Sequence, residues 1–354
     1  AEDCSVEDCE VTRVGFHAVG VGRGCRSLRF VGNHFHDLGA GGLIAEGVGV
    51  DGPAGHRTAH LHIANNMIEG TGHIFPAACG VTLVHASRCE IVHNHIHDLS
   101  YSGISVGWVW GYSENPSYGH LIEKNHIHDV GVRGGLSDMG AIYLLGYQPG
   151  TLVRGNYVHD VNRAAYGGYG LYPDEGSAGI TFEGNVVARC ATGCLHQHYG
   201  RQNTYRNNIF AHGGDFLIRL APDDRGLTYD FPPQGTVFER NILLSRDVPV
   251  FDDLRRYFQT EQNFVCDLNL YWDEVRGQET VVLRERKPPA PTKAPSIHKE
   301  DHSYDLEAFR RPDRDGHSVA AYPNLADPGK GDFRLAEDSP AHALGFRPID
   351  LSDV

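Results

Sequence analysis

The chain has 354 residues, of which 40% are apolar, so a large folded core is available and disorder is not the default. The formal net charge is −14, which argues against nucleic acid, because phosphate binding needs clustered Lys and Arg. No apolar run approaches membrane-spanning length, so no membrane partner is expected.

Residues 1–32 read as one incomplete coil and one full coil of a repeat, with no amphipathic helix to cover the open end. The chain starts at Ala1, already inside patterned sequence, and an N-terminal part is expected to be missing. The expected location is secreted or periplasmic, with the signal outside this chain. From residue 33 onward, an Asn recurs before each short apolar strand. The positions are Asn33, Asn66, Asn94, Asn125, Asn156, Asn185, Asn208, Asn241 and Asn269. Their spacings of 33, 28, 31, 31, 29, 23, 33 and 28 residues mark stacked supersecondary units. Segments such as HIHD and ITFEGNVV alternate with period two and end at Gly or Asn, which selects strands over helices. The predicted fold class is all-β: a single-stranded right-handed parallel β-helix with an irregular C-terminal cap. Each Asn is expected to take the left-handed backbone of a corner and to bond the Asn of the next coil.

Within residues 33–135 the insertion GWVWGYSENPSYGH gathers Trp108, Trp110, Tyr112 and Tyr118. Exposed aromatics beside acids suit stacking on a sugar face. A loop folded on its own aromatics is the structural alternative. Across the same region His36-Asp37, His97-Asp98, His128-Asp129 and His159-Asp160 form an HxHD column. A residue repeated in every coil serves the stack, so no metal and no cofactor is expected.

Residues 136–212 carry the candidate site. Asp138, Asp174, Glu175, His196 and His198 break their columns. With Gly42, Gly103, Gly140, Gly170, Gly193 and Asp215 aligned, the positions equivalent to Asp174 are Glu46, Gly107, Leu144, Gln197 and Arg219. Two carboxylates on neighbouring coils push their pKa values apart, as glycoside hydrolysis requires. Asp138, Asp174 and Glu175 are the candidate catalytic residues. His196, His198, Trp108, Trp110, Tyr143, Tyr172, Tyr199, Arg201 and Glu46 are the candidate substrate-binding residues.

Residues 213–283 continue the β-helix less regularly, giving a domain over 1–283. Residues 284–304, rich in Pro and Lys, read as an exposed connection, and the segment to residue 354 is expected to pack on the last coils. The eight cysteines form no CxxC pair; Cys190 and Cys194 could be bridged or stay buried thiols.

The stretches LSDMGAIYLLG, YGLYPDEGS, HQHYGRQN and the ending GDFRLAEDSPAHALGF resemble the parallel β-helix glycosidases of glycoside hydrolase family 141. The similarity runs from about Asn33 to the C-terminus. It implies a hydrolase acting on the glycosidic bonds of a plant or microbial glycan, fucosidase- or xylanase-like, with catalytic aspartates at Asp138 and Asp174. The chain departs from that family in lacking its longer N-terminal part and in placing Pro173 before the acidic pair. Rival functions on such a fold are a uronate-directed polysaccharide lyase or epimerase, and a non-catalytic glycan-binding solenoid.

Overall fold

In the computed structural model the described residues are 1–223, 230–252, 254, 257–258, 263–285, 302–311 and 314–354. Most of the expected linker, residues 286–301, lies outside them. The chain forms a parallel β-helix with three walls per coil. The first wall is an 11-stranded sheet running from Glu10–Thr12 through the HxH strands to Val319–Ala320. The second wall holds Leu43–Glu46, Val81–Val84, Ile104–Gly107 and the later strands aligned with them. The third holds the strands that lead into each Asn, such as Arg29–Val31 and Leu121–Glu123. In two coils the second and third walls fuse into 15-residue strands, Gly140–Arg154 and Tyr169–Glu183.

The period-two pattern sends alternate side chains inward, where equal positions stack. Phe35, Ile68, Ile96, Ile127, Val158, Val187, Phe210, Leu243 and Tyr271 form one unbroken fully buried column. Burying each such side chain is worth ~1.5–3 kcal/mol relative to exposure. On the third wall an outward column runs Glu123, Arg154, Glu183, Arg206, Glu239 in register. Exposed ion pairs of this kind add little stability, but like charges would oppose any slip of register.

The Asn column forms a continuous ladder. From Asn33 to Asn269 each amide nitrogen donates to the next amide oxygen at 2.8–3.1 Å. The left-handed backbone does not fall on the Asn residues, however. It falls one residue earlier, at Gly32, Asn65, His93, Lys124, Gly155, Gly184, Asn207, Arg240 and Leu268. The Asn itself is buried, and its side chain serves backbone groups inside the corner. The Asp of the HxHD motif takes the second left-handed corner, with φ between 50° and 54° at Asp37, Asp98, Asp129 and Asp160. Asp tolerates that conformation better than most residues.

The ladder ends where the backbone N–H of Asn269 donates to Ser318 Oγ at 2.9 Å. The strand Val319–Ala320 then pairs with Leu270–Asp273. Beyond it, Leu325, Phe333, Ala341, Leu344 and Phe346 pack on the outward residues Val186, Ala188, Ile209, Ala211, Ile242, Leu244 and Leu270 of the first wall. The outer face of that wall is therefore polar and histidine-rich in early coils and apolar where the C-terminal segment covers it. All eight cysteines are free thiols, and Cys190 and Cys194 are buried. Among the described residues, no helix is long and apolar enough to cross a membrane.

Candidate functional site

The site lies on the second wall, where the fused strands begin. Its outward column runs Ser105, Tyr143, Tyr172, His196, Arg219. Two residues further along, Gly107, Leu145, Asp174, His198 and Ala221 form the next outward column. The glycine alignment thus needs a correction. Gly140 and Gly193 both pair with Tyr169, and the positions facing Gly103 and Gly170 are Ala141 and Cys194. Asp174 therefore stands in the column of Leu145, His198 and Ala221, not that of Leu144, Gln197 and Arg219. At Gly103 a Cβ would lie 2.8 Å from the Ala141 carbonyl oxygen and 2.7 Å from Ile127, so that coil takes glycine. Ala141 and Cys194 hold the same column in the two coils whose glycine stands one residue earlier, so alignment on glycine misplaces those coils by one.

Asp138 sits at a left-handed corner, φ 61°, one residue ahead of the buried Met139 and two ahead of the fused strand. Its carbonyl oxygen accepts from the Tyr101 hydroxyl at 2.7 Å, and its N–H donates to the Tyr166 carbonyl at 3.1 Å. Its Oδ1 accepts from the Tyr172 hydroxyl at 3.0 Å. Burial raises the Asp138 carboxyl above its usual range; the Tyr172 hydrogen bond opposes this, and the charge of Asp174 reinforces it.

Asp174 is nearly buried, 7% exposed. Its Oδ2 accepts from the Tyr143 hydroxyl at 2.7 Å, and its Oδ1 lies 2.9 Å from His198 Nδ1. Burial pushes this carboxyl up, but the hydrogen bonds from His198 and Tyr143 outweigh it and leave the group below its ordinary value. Tyr143 and Tyr172 cross edge to face with centroids 5.2 Å apart. Burial and the two carboxylates raise both phenols, which therefore stay protonated and donate.

His196 packs against Tyr169 and Tyr172, and burial holds it down at about 3, so it is a neutral ring. Arg219, next in that column, is ion-paired with Asp252 and lies over the Phe216 ring. Arg163 is ion-paired with Asp215. Tyr101, Tyr169 and Arg219 were missed from sequence; each lies in the same columns or beneath the Asp138 corner, but nothing in residue type distinguishes it from the other wall residues.

The remaining predicted residues divide. The Trp108 ring lies 6.1 Å from Tyr143 and 6.0 Å from the ring of Trp110, which is 57% exposed. Trp108 thus flanks the tyrosine pair, and Trp110 lies beyond it. The rest of that insertion folds back on the coils. Tyr112 is buried against Tyr199, and the Gly111 N–H donates to the Glu175 carbonyl at 3.1 Å. A Cβ on Gly176, φ 79°, would strike the Gly111 backbone at 2.3 Å, so only glycine lets the loop seat there. Glu175 turns to this cluster: its Oε2 accepts from the Tyr199 hydroxyl at 2.6 Å. Tyr199 is 2% and Arg201 5% exposed, with the Arg201 guanidinium over the Tyr112 ring, so these three brace the loop rather than line the surface beside Asp174. Glu46 is exposed in the Asp174 column but four coils away, roughly 19 Å at ~4.8 Å per coil.

A family model described as right handed beta helix region matches residues 55–228. No curated protein matches the chain. Among solved structures, one titled glycoside hydrolase shares 25% identity over 59% of this chain and 37% of its own, with a TM-score of 0.52. A thermostable GH87 alpha-1,3-glucanase from Streptomyces thermodiastaticus shares 16% identity, covering 68% of this chain and 44% of its own, with a TM-score of 0.46. An alginate lyase from Paenibacillus shares 16%, covering 69% and 82%, with a TM-score of 0.44. The chain therefore spans less than half the length of the two hydrolases it matches. The family model and the first of these structures agree with the observed coil in fold: a right-handed parallel β-helix.

Proposed function

We propose that this β-helix is a carbohydrate-active enzyme that hydrolyses a glycosidic bond, in the manner of glycoside hydrolase family 141, with Asp138 as general acid and Asp174 as general base or nucleophile. The observation that carries this reading is the opposite tuning of two carboxyls on adjacent coils. Asp138 is raised and Asp174 lowered, each through its own tyrosine. Two neighbouring carboxyls, one shifted toward holding its proton and the other toward losing it, are what glycosidic cleavage uses. Asp138 gives its proton to the leaving oxygen as the bond from that oxygen to the anomeric carbon breaks. Asp174 either attacks that carbon or takes a proton from the water that does. Trp108 and Trp110 supply an apolar platform for a pyranose face. The resemblance to a solved glycoside hydrolase at 25% identity supports the same class.

A lyase would need a cation to neutralise a uronate carboxylate. Arg163 and Arg219, on the coils around the acid pair, are already committed to Asp215 and Asp252. Product analysis on a panel of aryl glycosides and plant polysaccharides tests the reading. Release of reducing ends without an ultraviolet-absorbing unsaturated sugar supports hydrolysis; an unsaturated product overturns it.

A further inference from the structure

The outward face of the first wall carries two columns of rings. One runs His34, Met67, His95, His126, Tyr157 and the other His36, Glu69, His97, His128, His159. Alternate residues of a strand share a face, and the next coil repeats that face ~4.8 Å away. Among the described residues, only the coils holding His95/His97 and His126/His128 are neighbours with histidine at both outward positions. There the rings stack in pairs, with centroids 4.9 Å apart and planes within 5° for His95–His126 and 1° for His97–His128. His95, His126 and His128 each offer one nitrogen, all within 4.8 Å of one another.

From this geometry we infer that His95, His126 and His128 form a binding site for a divalent transition-metal ion of the zinc class. The carboxylate held against one ligand ring is the second, independent observation, and His159 beside the site repeats the arrangement. His128 Nδ1 lies 2.7 Å from Asp129 Oδ2, and His159 Nδ1 lies 2.6 Å from Asp160 Oδ2. Each Nδ1–H donates to its carboxylate, which leaves the Nε2 lone pair facing outward. This is the carboxylate–histidine arrangement that orients metal-binding imidazoles and raises their basicity. His128 Nε2 lies 2.8 Å from His95 Nε2, and His159 Nε2 lies 2.8 Å from His126 Nε2. In a neutral pair one of those nitrogens carries the proton. On metal binding His95 and His126 each give up the Nε2 proton to solvent and take one from solvent at Nδ1, so both rings stay neutral and their Nε2 lone pairs join that of His128 on the ion. Tetrahedral zinc at ~2.0–2.1 Å from each nitrogen sets them about 3.3 Å apart, so the His95–His128 pair need open by only half an ångström or so. Imidazole ligands suit zinc, copper, nickel and cobalt and disfavour calcium and magnesium, which prefer oxygen. The site is on a different wall from Asp138 and Asp174. Its ion tethers neighbouring coils and takes no part in cleavage.

The test uses the full chain, stripped with a chelator and titrated calorimetrically with zinc chloride. The expected result is one ion per chain, with a melting temperature that rises with zinc. His95→Gln, His126→Gln and His128→Gln should each weaken binding more than tenfold. Asp129→Asn keeps every ligand and should still cost about tenfold, the usual effect of losing an orienting partner. His62→Gln, whose ring is paired with Glu90 outside the cluster, should bind as the parent does, and so should Asp138→Asn. Circular dichroism confirms the fold of each variant, and Asp129→Asn decides the matter should a ligand variant fail to fold. Absence of saturable binding up to millimolar zinc would overturn the inference. So would binding that survives all three ligand changes, or that is lost only on changing Glu10 and His34, the other cluster on this face.

Discussion

Tyr172 lies directly beside Tyr143 on the neighbouring coil, yet their hydroxyls part: Tyr172 donates to Asp138 and Tyr143 to Asp174. One stacked pair of like residues thus serves two carboxyls on different coils, and the two are tuned separately. Regular stacking supplies the pair; the corner at Asp138 supplies the asymmetry.

The pH dependence of cleavage should reveal that division. Asp138 must hold its proton, so activity is lost as pH rises through its raised pKa. Asp174 must be ionised, so activity is lost as pH falls through its lowered pKa. Tyr172→Phe removes a bond that lowers Asp138, and the alkaline limb should move to higher pH. Tyr143→Phe removes one that lowers Asp174, and the acidic limb should move up, narrowing the profile. Rate profiles of kcat/KM for both variants check this, and limbs that stay in place would detach the tyrosines from the carboxyls.

Trp108→Ala should raise KM about threefold to tenfold and leave kcat nearly unchanged, since aromatic stacking is worth ~0.5–1.5 kcal/mol. Steady-state kinetics on the best substrate of the panel gives the split. An unchanged KM removes Trp108 from the sugar platform.

Asn156 accepts from both the backbone N–H and the amide of Asn125, and its own amide serves Ile122, Arg154 and Asn185. Replacing it with Ala strands several buried groups, each worth ~1–3 kcal/mol. We expect a loss on the order of 3 kcal/mol, read from the shift in urea midpoint. A loss below about 0.5 kcal/mol, the size of an ordinary surface change, would make the ladder incidental.

The repeat was legible because each coil meets the same demand, and Asn33 through Asn269 answer it with the same residue. Backbone handedness was not, since the corner residue before the Asn varies from Gly32 to Lys124 to Leu268 and leaves no pattern to read. The aspartates Asp138 and Asp174 stood out by breaking their columns, and the coordinates place them around one tyrosine pair. Glu175 broke its column too, but for the sake of the buried brace it forms with Tyr199 and Arg201 under the Trp108 insertion. Sequence gives the same sign to a residue placed for substrate and one placed for a loop. The register slip at Gly140 and Gly193 was hidden because each of these glycines stands one residue before the column position that Ala141 and Cys194 occupy.

The most direct measurement is release of reducing sugar by Asp138→Asn and Asp174→Asn, each compared with the parent on a substrate the parent cleaves. Both variants should keep the fold and bind sugar, and each should lose about a hundredfold or more in kcat, as loss of a positioned acid or base costs. Parent-like turnover in either variant would contradict the account.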